Sequence, residues 1–450
     1  MTRKKDITVQ MPVLRPDSAG IDIGAKSSYV ALPPDRNQSV REFGSFTADI
    51  HALADWLIAH RIKTIAMEST GVYWIPYFQV LENRGLEVVL VNAQHVNSVA
   101  GRPKSDVKDC QWIQHLHSLG LLKASFRPTD ALVAIRTLTR HRDNLVAQAT
   151  QAIQRMQKSM TQMNLQLHHV ISDISGMTGL NIIDSILAGK REPEFLAELK
   201  NKRIKASHEV IVKSLQGDYR EEHVLTLRHA REQYRFIESQ LADCDKAIIE
   251  SAQKFNDDQC KQQEPLKERI NKQKQLRLRD TRDTLIHNEM RRAFGIDLFE
   301  LPGFATDTVL RVFTEVGTDF SKFRTADAFA SWLALCPNNK ITGGKVKSTR
   351  TRESKSRLAV ALRQAACSLS SAKSYYGALF RRLRAKFGAP KAITAMANKL
   401  AKLLYHLVTT RQEFDESKYG QAEQRHLQHR QRSLERQAHM MGFQLVPKSA

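Results

Sequence analysis

Gly20-Ile21-Asp22-Ile23-Gly24 and, further along, Thr64-Ile65-Ala66-Met67-Glu68 decide how this chain folds. Both are short apolar runs that read as buried strands, and each carries a single carboxylate. Asp22 sits inside its run; Glu68 ends the other, ahead of a turn at Gly71. An ionised carboxylate in such a setting costs several kcal/mol unless a cation offsets it. Strand ends are also where sheet proteins present functional groups. Working outward, Tyr29 to Leu32 and Val40 to Phe46 read as two more strands, bounded by Gly, Pro and Asn turn residues. Ile50, Leu53, Ala54, Leu57 and Ile58 have the spacing of one apolar helix face. A second helix runs from Trp74 to Arg84 and closes at Gly85, Glu87 to Val91 is the next strand, and a basic loop with Arg102 and Lys104 leads to a helix from Ser105 through Leu116.

Three strands, helix, strand, helix, strand, helix is the order of an RNase H-like α/β domain, which we place at residues 18–125. Asp106 and Asp109, at i and i+3, share one face of its last helix. Ser105 can cap that helix, so acids in its first turn also suit the helix dipole. His115 and His117 read as helix-surface residues. Together Asp22, Glu68, Asp106 and Asp109 supply hard oxygen ligands for divalent cations, the donor set of metal-assisted phosphoryl transfer.

Past Pro128 the composition turns to Ala, Gln, Leu and charged residues, which predicts long helices over residues 129–293. Leu227, Ala230, Tyr234, Ile237, Leu241, Cys244 and Ile248 step by threes and fours, a coiled-coil seam that needs a partner. That partner is either the Leu145 to Met156 segment or a second subunit. Gly176 to Gly217 reads as an irregular helical insert, and residues 250–290 as a solvated helix or linker able to touch nucleic acid. Residues 294–412 read as an all-α domain in which Leu301-Pro302-Gly303-Phe304-Ala305 turns between helices, and residues 413–450 as a basic helical tail.

The chain has 69 Lys and Arg against 47 Asp and Glu, a formal net charge of +22, so a polyanion is its natural partner. It has no uninterrupted apolar run of membrane-spanning length, and a cytoplasmic, nucleoid-associated protein with no membrane partner is expected. The five cysteines are scattered singly and are expected to be buried thiols. A second constellation runs from Pro337 to Lys345 and on to Arg357. Gly343-Gly344 lets backbone approach a phosphate, while Lys340, Lys345, Lys347, Arg350 and Arg352 carry charge to bind one, as do Arg102 and Lys104. A plain surface loop fits the same composition.

Gly20-Ile21-Asp22-Ile23-Gly24, Met67-Glu68-Ser69-Thr70-Gly71, Lys104-Ser105-Asp106-Val107-Lys108-Asp109, Leu301-Pro302-Gly303, and Trp332 to Pro337 followed by Thr342-Gly343-Gly344-Lys345 together resemble the DEDD-type insertion-sequence transposases. The resemblance spans nearly the whole chain. It implies a RuvC-like N-terminal domain, a coiled coil and a C-terminal transposase domain, with Asp22, Glu68, Asp106 and Asp109 as a tetrad binding two Mg²⁺ ions, or Mn²⁺ in their place. It also implies a hydroxyl nucleophile before the glycine pair, a serine in the family. This chain has Thr342 there, which keeps the hydroxyl and adds a methyl that restricts χ1; Ser348, Ser354 and Ser356 are nearby hydroxyls. The implied partners are double-stranded DNA at the element ends and target, a structured bridge RNA, and further copies of the chain as a dimer or tetramer. Rival readings are a RuvC-like junction nuclease that uses water, a sugar-kinase-like ATPase, and a non-catalytic nucleic-acid scaffold. The ATPase needs a second Asp-Xaa-Gly phosphate loop, and none is found.

If six to ten phosphates are neutralised, affinity for DNA should fall about 10³- to 10⁵-fold between 50 and 200 mM salt. Equilibrium binding across that range checks it, and a flat dependence would point to another kind of partner.

Overall fold

The computed structural model describes residues 12–36, 38–69, 71–92, 105–259, 281–354, 356–444 and 446. The chain divides into two compact units, Met1–Arg127 and Pro128–Ala450.

The first unit is built on a five-stranded sheet in the order β3-β2-β1-β4-β5. Its strands are β1 (Ser18–Ile23), β2 (Ser27–Ala31), β3 (Val40–Gly44), β4 (Thr64–Glu68) and β5 (Glu87–Val91). The first three form an antiparallel meander; β4 joins β1 and β5 joins β4 in parallel. Among the described residues three helices cover the sheet: α1 (Thr47–Ala59), α2 (Trp74–Asn83) and α3 (Asp106–Ser118). The period-two alternation of the strands sorts the side chains. Ala19, Ile21, Ile65 and Met67 pack with Leu53 and Leu57 of α1 and Tyr77 and Leu81 of α2. Ala66, Val89 and Val91 face the other way, against Ile113 and Leu116 of α3.

Helix α3 lies unusually close to β1. A Cβ built on Gly20 would stand 2.3 Å from the backbone nitrogen of Gln114 and 2.5 Å from the carbonyl oxygen of Cys110. Only glycine permits that approach. Gln114 then donates from Nε2 to the Ser18 carbonyl at 3.3 Å. His117 is fully buried, contrary to its surface reading. Arg15 donates to its Nδ1 at 3.2 Å, so Nε2 carries the proton and donates to Thr64 Oγ1 at 3.0 Å. Burial, with the nearby Arg15 charge, pushes its pKa down to about 4 and keeps the ring neutral.

In the second unit, α4 (Asp130–Gln162) and α8 (Glu221–Gln259) run antiparallel. Ser159 meets Thr226 at 3.0 Å, Arg155 donates to Gln233 at 2.8 Å, and Arg142 pairs with Asp245. The apolar seam is filled by the chain itself: Leu227 and Ala230 share a core with Met156, while Ile237, Cys244 and Ile248 share one with Leu145 and Ala149. Between the two long helices lie α5 (Met177–Leu187), α6 (Pro193–Glu198) and α7 (His208–Ser214), packed on the Met156 end.

The remainder is a bundle of α9 (Thr281–Phe294), α10 (Thr306–Glu315), α11 (Ala326–Trp332), α12 (Arg357–Ser368), α13 (Tyr375–Phe387) and α14 (Ala389–Thr410), followed by α15 (Ser417–Met440). Gly303, at φ +78°, turns the chain against α12, where a Cβ would meet the Ala365 carbonyl oxygen at 2.4 Å.

Three expectations are corrected. The two ends of the polar stretch 250–290 are not simply solvated: Ala252 and Phe255 of α8 and Ile286 and Met290 of α9 are core residues, an apolar stripe diluted by many charged neighbours, while residues 260–280 lie outside the described residues. The C-terminal region is not all helical, since Lys340–Thr342 (β6) and Lys345–Ser348 (β7) form a two-stranded hairpin. The thiols are not all buried, for Cys367 is exposed, and Cys260 lies outside the described residues. No helix among the described residues is long and apolar enough to cross a membrane.

Gly20→Ala should cost about 1–3 kcal/mol, as overpacking does, because its methyl meets helix backbone rather than a yielding side chain. Thermal melting checks this; an unchanged Tm would mean that α3 can lift off the sheet freely.

Candidate active site

The Gly20 contact also sets the height of α3 along β1. Ser18 lies level with Gln114, and Gly20 with Cys110 and Gln114. From Ser18 to Asp22 the strand rises about 13 Å. From Gln114 back to Asp106 the helix rises about 12 Å in the same direction. The first turn of α3, with Asp106 and Asp109, therefore arrives at the level of Asp22. Ser105 fixes that turn by accepting the Lys108 amide on its hydroxyl at 3.4 Å.

The sheet contributes the rest. Gly20 pairs with Ala66 and Ile21 with Met67, so the next step of the parallel register sets Asp22 beside Glu68, on the face turned to α3. On the other side Asp22 pairs with Tyr29, and Tyr29 with Glu42. No local sequence pattern marks Tyr29 or Glu42; only the strand register brings Tyr29 beside Asp22 and Glu42 beside Tyr29. The Tyr29 hydroxyl is hydrogen-bonded to Glu42, which holds its pKa above the usual value.

Asp22 is half-buried, and its pKa is pushed up to about 6. Burial is the largest cause, followed by the negative charges of Asp109, Asp106 and Glu68; the backbone N–H of Ile23 works the other way. The four carboxylates thus share one electrostatic field. Among the described residues no three His, Cys, Asp or Glu side chains stand close enough to enclose a metal ion as they are. As a donor set, four hard oxygens whose charges raise one another suit a divalent, oxygen-seeking cation. Cys110, behind Asp22, is no nucleophile: burial pushes its thiol up to about 12, and Sγ donates to the Val107 carbonyl at 3.0 Å.

The second constellation is the β6–β7 hairpin. Gly343 and Gly344 have φ of +56° and +74°, the two positive values of a type I′ turn between Thr342 and Lys345. Lys340, Thr342, Lys345 and Lys347 are exposed. Below the hairpin the chain is tied down, with Asn338 donating to the Arg350 carbonyl at 2.9 Å and Arg352 to the Ser331 carbonyl. The neighbouring serines have structural tasks: Ser348 accepts the Arg350 amide, Ser354 that of Ser356, and Ser356 caps α12. Among the described residues, the Thr342 hydroxyl has no such partner. Arg102 and Lys104 lie outside the described residues.

Residues 19–165 match a family model of transposases of the DEDD type, and residues 297–381 a second model, the transposase IS116/IS110/IS902 family. The two matches together cover just over half of the chain. No curated protein matches it.

The raised pKa of Asp22 has a consequence for stability. Its protonated form is favoured in the folded state, so its stabilising share is complete below the unfolded value of 3.8 and is lost as pH rises through about 6. Asp22→Asn removes the charge and should stabilise the metal-free protein at pH 7 by about 1–2 kcal/mol, after allowance for solvent screening. Melting curves in chelator should show the gap between variant and wild type opening from pH 4 to 7; a gap that stays constant would contradict the shared field.

Proposed function

Because the chain belongs to the IS110 family of DEDD transposases and is a DNA transposase, we propose that it excises and inserts its own element by metal-assisted strand transfer, with Thr342 as the attacking hydroxyl. The observation that carries this reading is the convergence of Glu68, Asp106 and Asp109 on the charge of Asp22. The sheet order, three antiparallel strands followed by two parallel ones, supports an RNase H/RuvC-like reading of the first unit.

Asp22, Glu68, Asp106 and Asp109 would hold two Mg²⁺, or Mn²⁺ in their place. Bound there, the ions would lower the proton affinity of an attacking oxygen and offset charge on the phosphate. Thr342 Oγ1 forms a bond to phosphorus as the bond from phosphorus to a deoxyribose oxygen breaks. The hydroxyl proton leaves to solvent, and the departing oxygen gains one. Nothing is oxidised, and one phosphodiester replaces another. The glycine turn presents the hydroxyl on a short, exposed hairpin that an approaching phosphate can reach. Lys340, Gly343, Gly344, Lys345, Lys347, Arg350 and Arg352, with Arg102 and Lys104, hold nucleic-acid phosphates.

The partners are the DNA of element ends and target and a structured guide RNA, both suited to a formal charge of +22. A dimer or tetramer of the chain would bring several such hydroxyls to the strands exchanged. Any such assembly uses surfaces other than the seam, which α4 fills.

Asp22→Ala and Asp109→Ala should abolish Mg²⁺-dependent strand cleavage while the protein still binds nucleic acid. Thr342→Ser should retain the covalent protein–DNA adduct and Thr342→Ala should lose it, as read by denaturing electrophoresis of end-labelled DNA. Cleavage that persists in Thr342→Ala without any adduct would favour the junction nuclease that uses water.

A further inference from the structure

Between Glu353 and Glu413 the chain has no Asp or Glu, yet it carries twelve Lys and Arg, more than half of the net +22. This stretch is α12, α13 and α14. Their inner faces, including Leu362, Phe380, Met396 and Leu404, build the core, so the charge is left to the outer faces. Some of the cations are neutralised from elsewhere, as where Arg357 pairs with Asp143 at 2.6 Å and Lys402 with Asp327. Arg381 donates to the carbonyls of Ser370 and Ala372.

The corner between α13 and α14 differs. Arg384, Lys386 and Lys391 are exposed there, and among the described residues no carboxylate pairs with them. Phe387 lies among them, 46% exposed, with Lys386 Nζ 5.2 Å from its ring centre. Gly388 turns the corner at φ +78°, and no atom lies within 4 Å of where its Cβ would be. Complementing the helix dipole accounts for Arg384 and Lys386 in the last turn of α13. It does not account for Lys391 in the first turn of α14, where the dipole opposes a cation. Like charges gathered at such a cost call for a polyanion. The open aromatic ring narrows the class, because an unpaired base offers a π face that a duplex hides.

We propose that the corner from Arg384 to Lys391 is a contact for an unpaired nucleic-acid strand. Arg384, Lys386 and Lys391 take its phosphates, and Phe387 stacks on a base. The corner lies beyond the matched residues 297–381. The inference rests on the transposase reading only for the class of partner.

The test is fluorescence anisotropy with the full-length protein in chelator, using a labelled oligothymidylate and a labelled duplex of equal length. Phe387→Ala should weaken binding of the single strand about 5- to 100-fold and leave duplex binding unchanged. Arg384→Ala/Lys386→Ala/Lys391→Ala should reduce the salt slope for the single strand by about two, at ~0.7 per phosphate contact. The control, Lys202→Ala/Arg203→Ala/Lys205→Ala, removes as much charge from the segment between α6 and α7 and should change the slope by less than one. Equal losses on both probes from Phe387→Ala, or a control effect as large as that of the corner, would overturn the proposal; so would no loss at all in variants that melt like wild type. Metal-dependent cleavage is scored separately, so a failed strand contact is distinguishable from a failed transposase reading.

Discussion

The approach of α3 to β1 at Gly20 is the constraint on which the rest of the candidate site depends. A side chain there would collide with helix backbone, and backbone cannot rotate out of the way. Because the contact is so close, Gln114 and His117 reach Ser18 and Thr64, and the helix is held at both β1 and β4. Once that height is fixed, Asp106 and Asp109 have only one place to go. The packing of a small residue thus determines the electrostatics of a carboxylate two positions further along the strand.

Several half-buried acids are paired with cations, as Asp17 is with Arg36 and Lys63 in the first unit. Asp245 is gripped by Arg142 and Arg282, and Asp143 by Arg311 and Arg357, so each acid is compensated by two guanidinium groups. Such pairs tie α4 and α8 to α9, α10 and α12. Asp22 instead has its proton affinity raised, first by burial and then by the charges of three further acids. Among the described residues no cation pairs with Asp22, and its ionised form carries a cost in folding stability. Destabilised charge of this kind clusters at functional sites, and here a bound cation would offset it.

Much of this was legible in the residues. The strands Thr64–Glu68 and Glu87–Val91 have the bounds the sequence suggests, because each is an apolar run closed by turn residues. The i, i+3 spacing of Asp106 and Asp109 and the Ser105 cap were equally plain, being local features. Long-range packing was less so. The burial of His117 depends on Thr64, 53 residues away, and on Arg15, and no local pattern announces either. The hairpin at Gly343-Gly344 had a signal that lost to its helical surroundings: two glycines between Lys-Ile-Thr and Lys-Val-Lys are the chemistry of a type I′ turn. The core residues Phe255 and Met290 were hidden by the charge around them, since a narrow apolar stripe leaves average composition polar.

The central claim is that Asp22, Glu68, Asp106 and Asp109 form one cation site, and crystals of the protein grown with Mn²⁺ test it most directly. Anomalous scattering should place manganese among those four carboxylates, with the peak lost in Asp22→Asn. Manganese bound elsewhere, or a wild-type site bare at saturating Mn²⁺, would contradict the account.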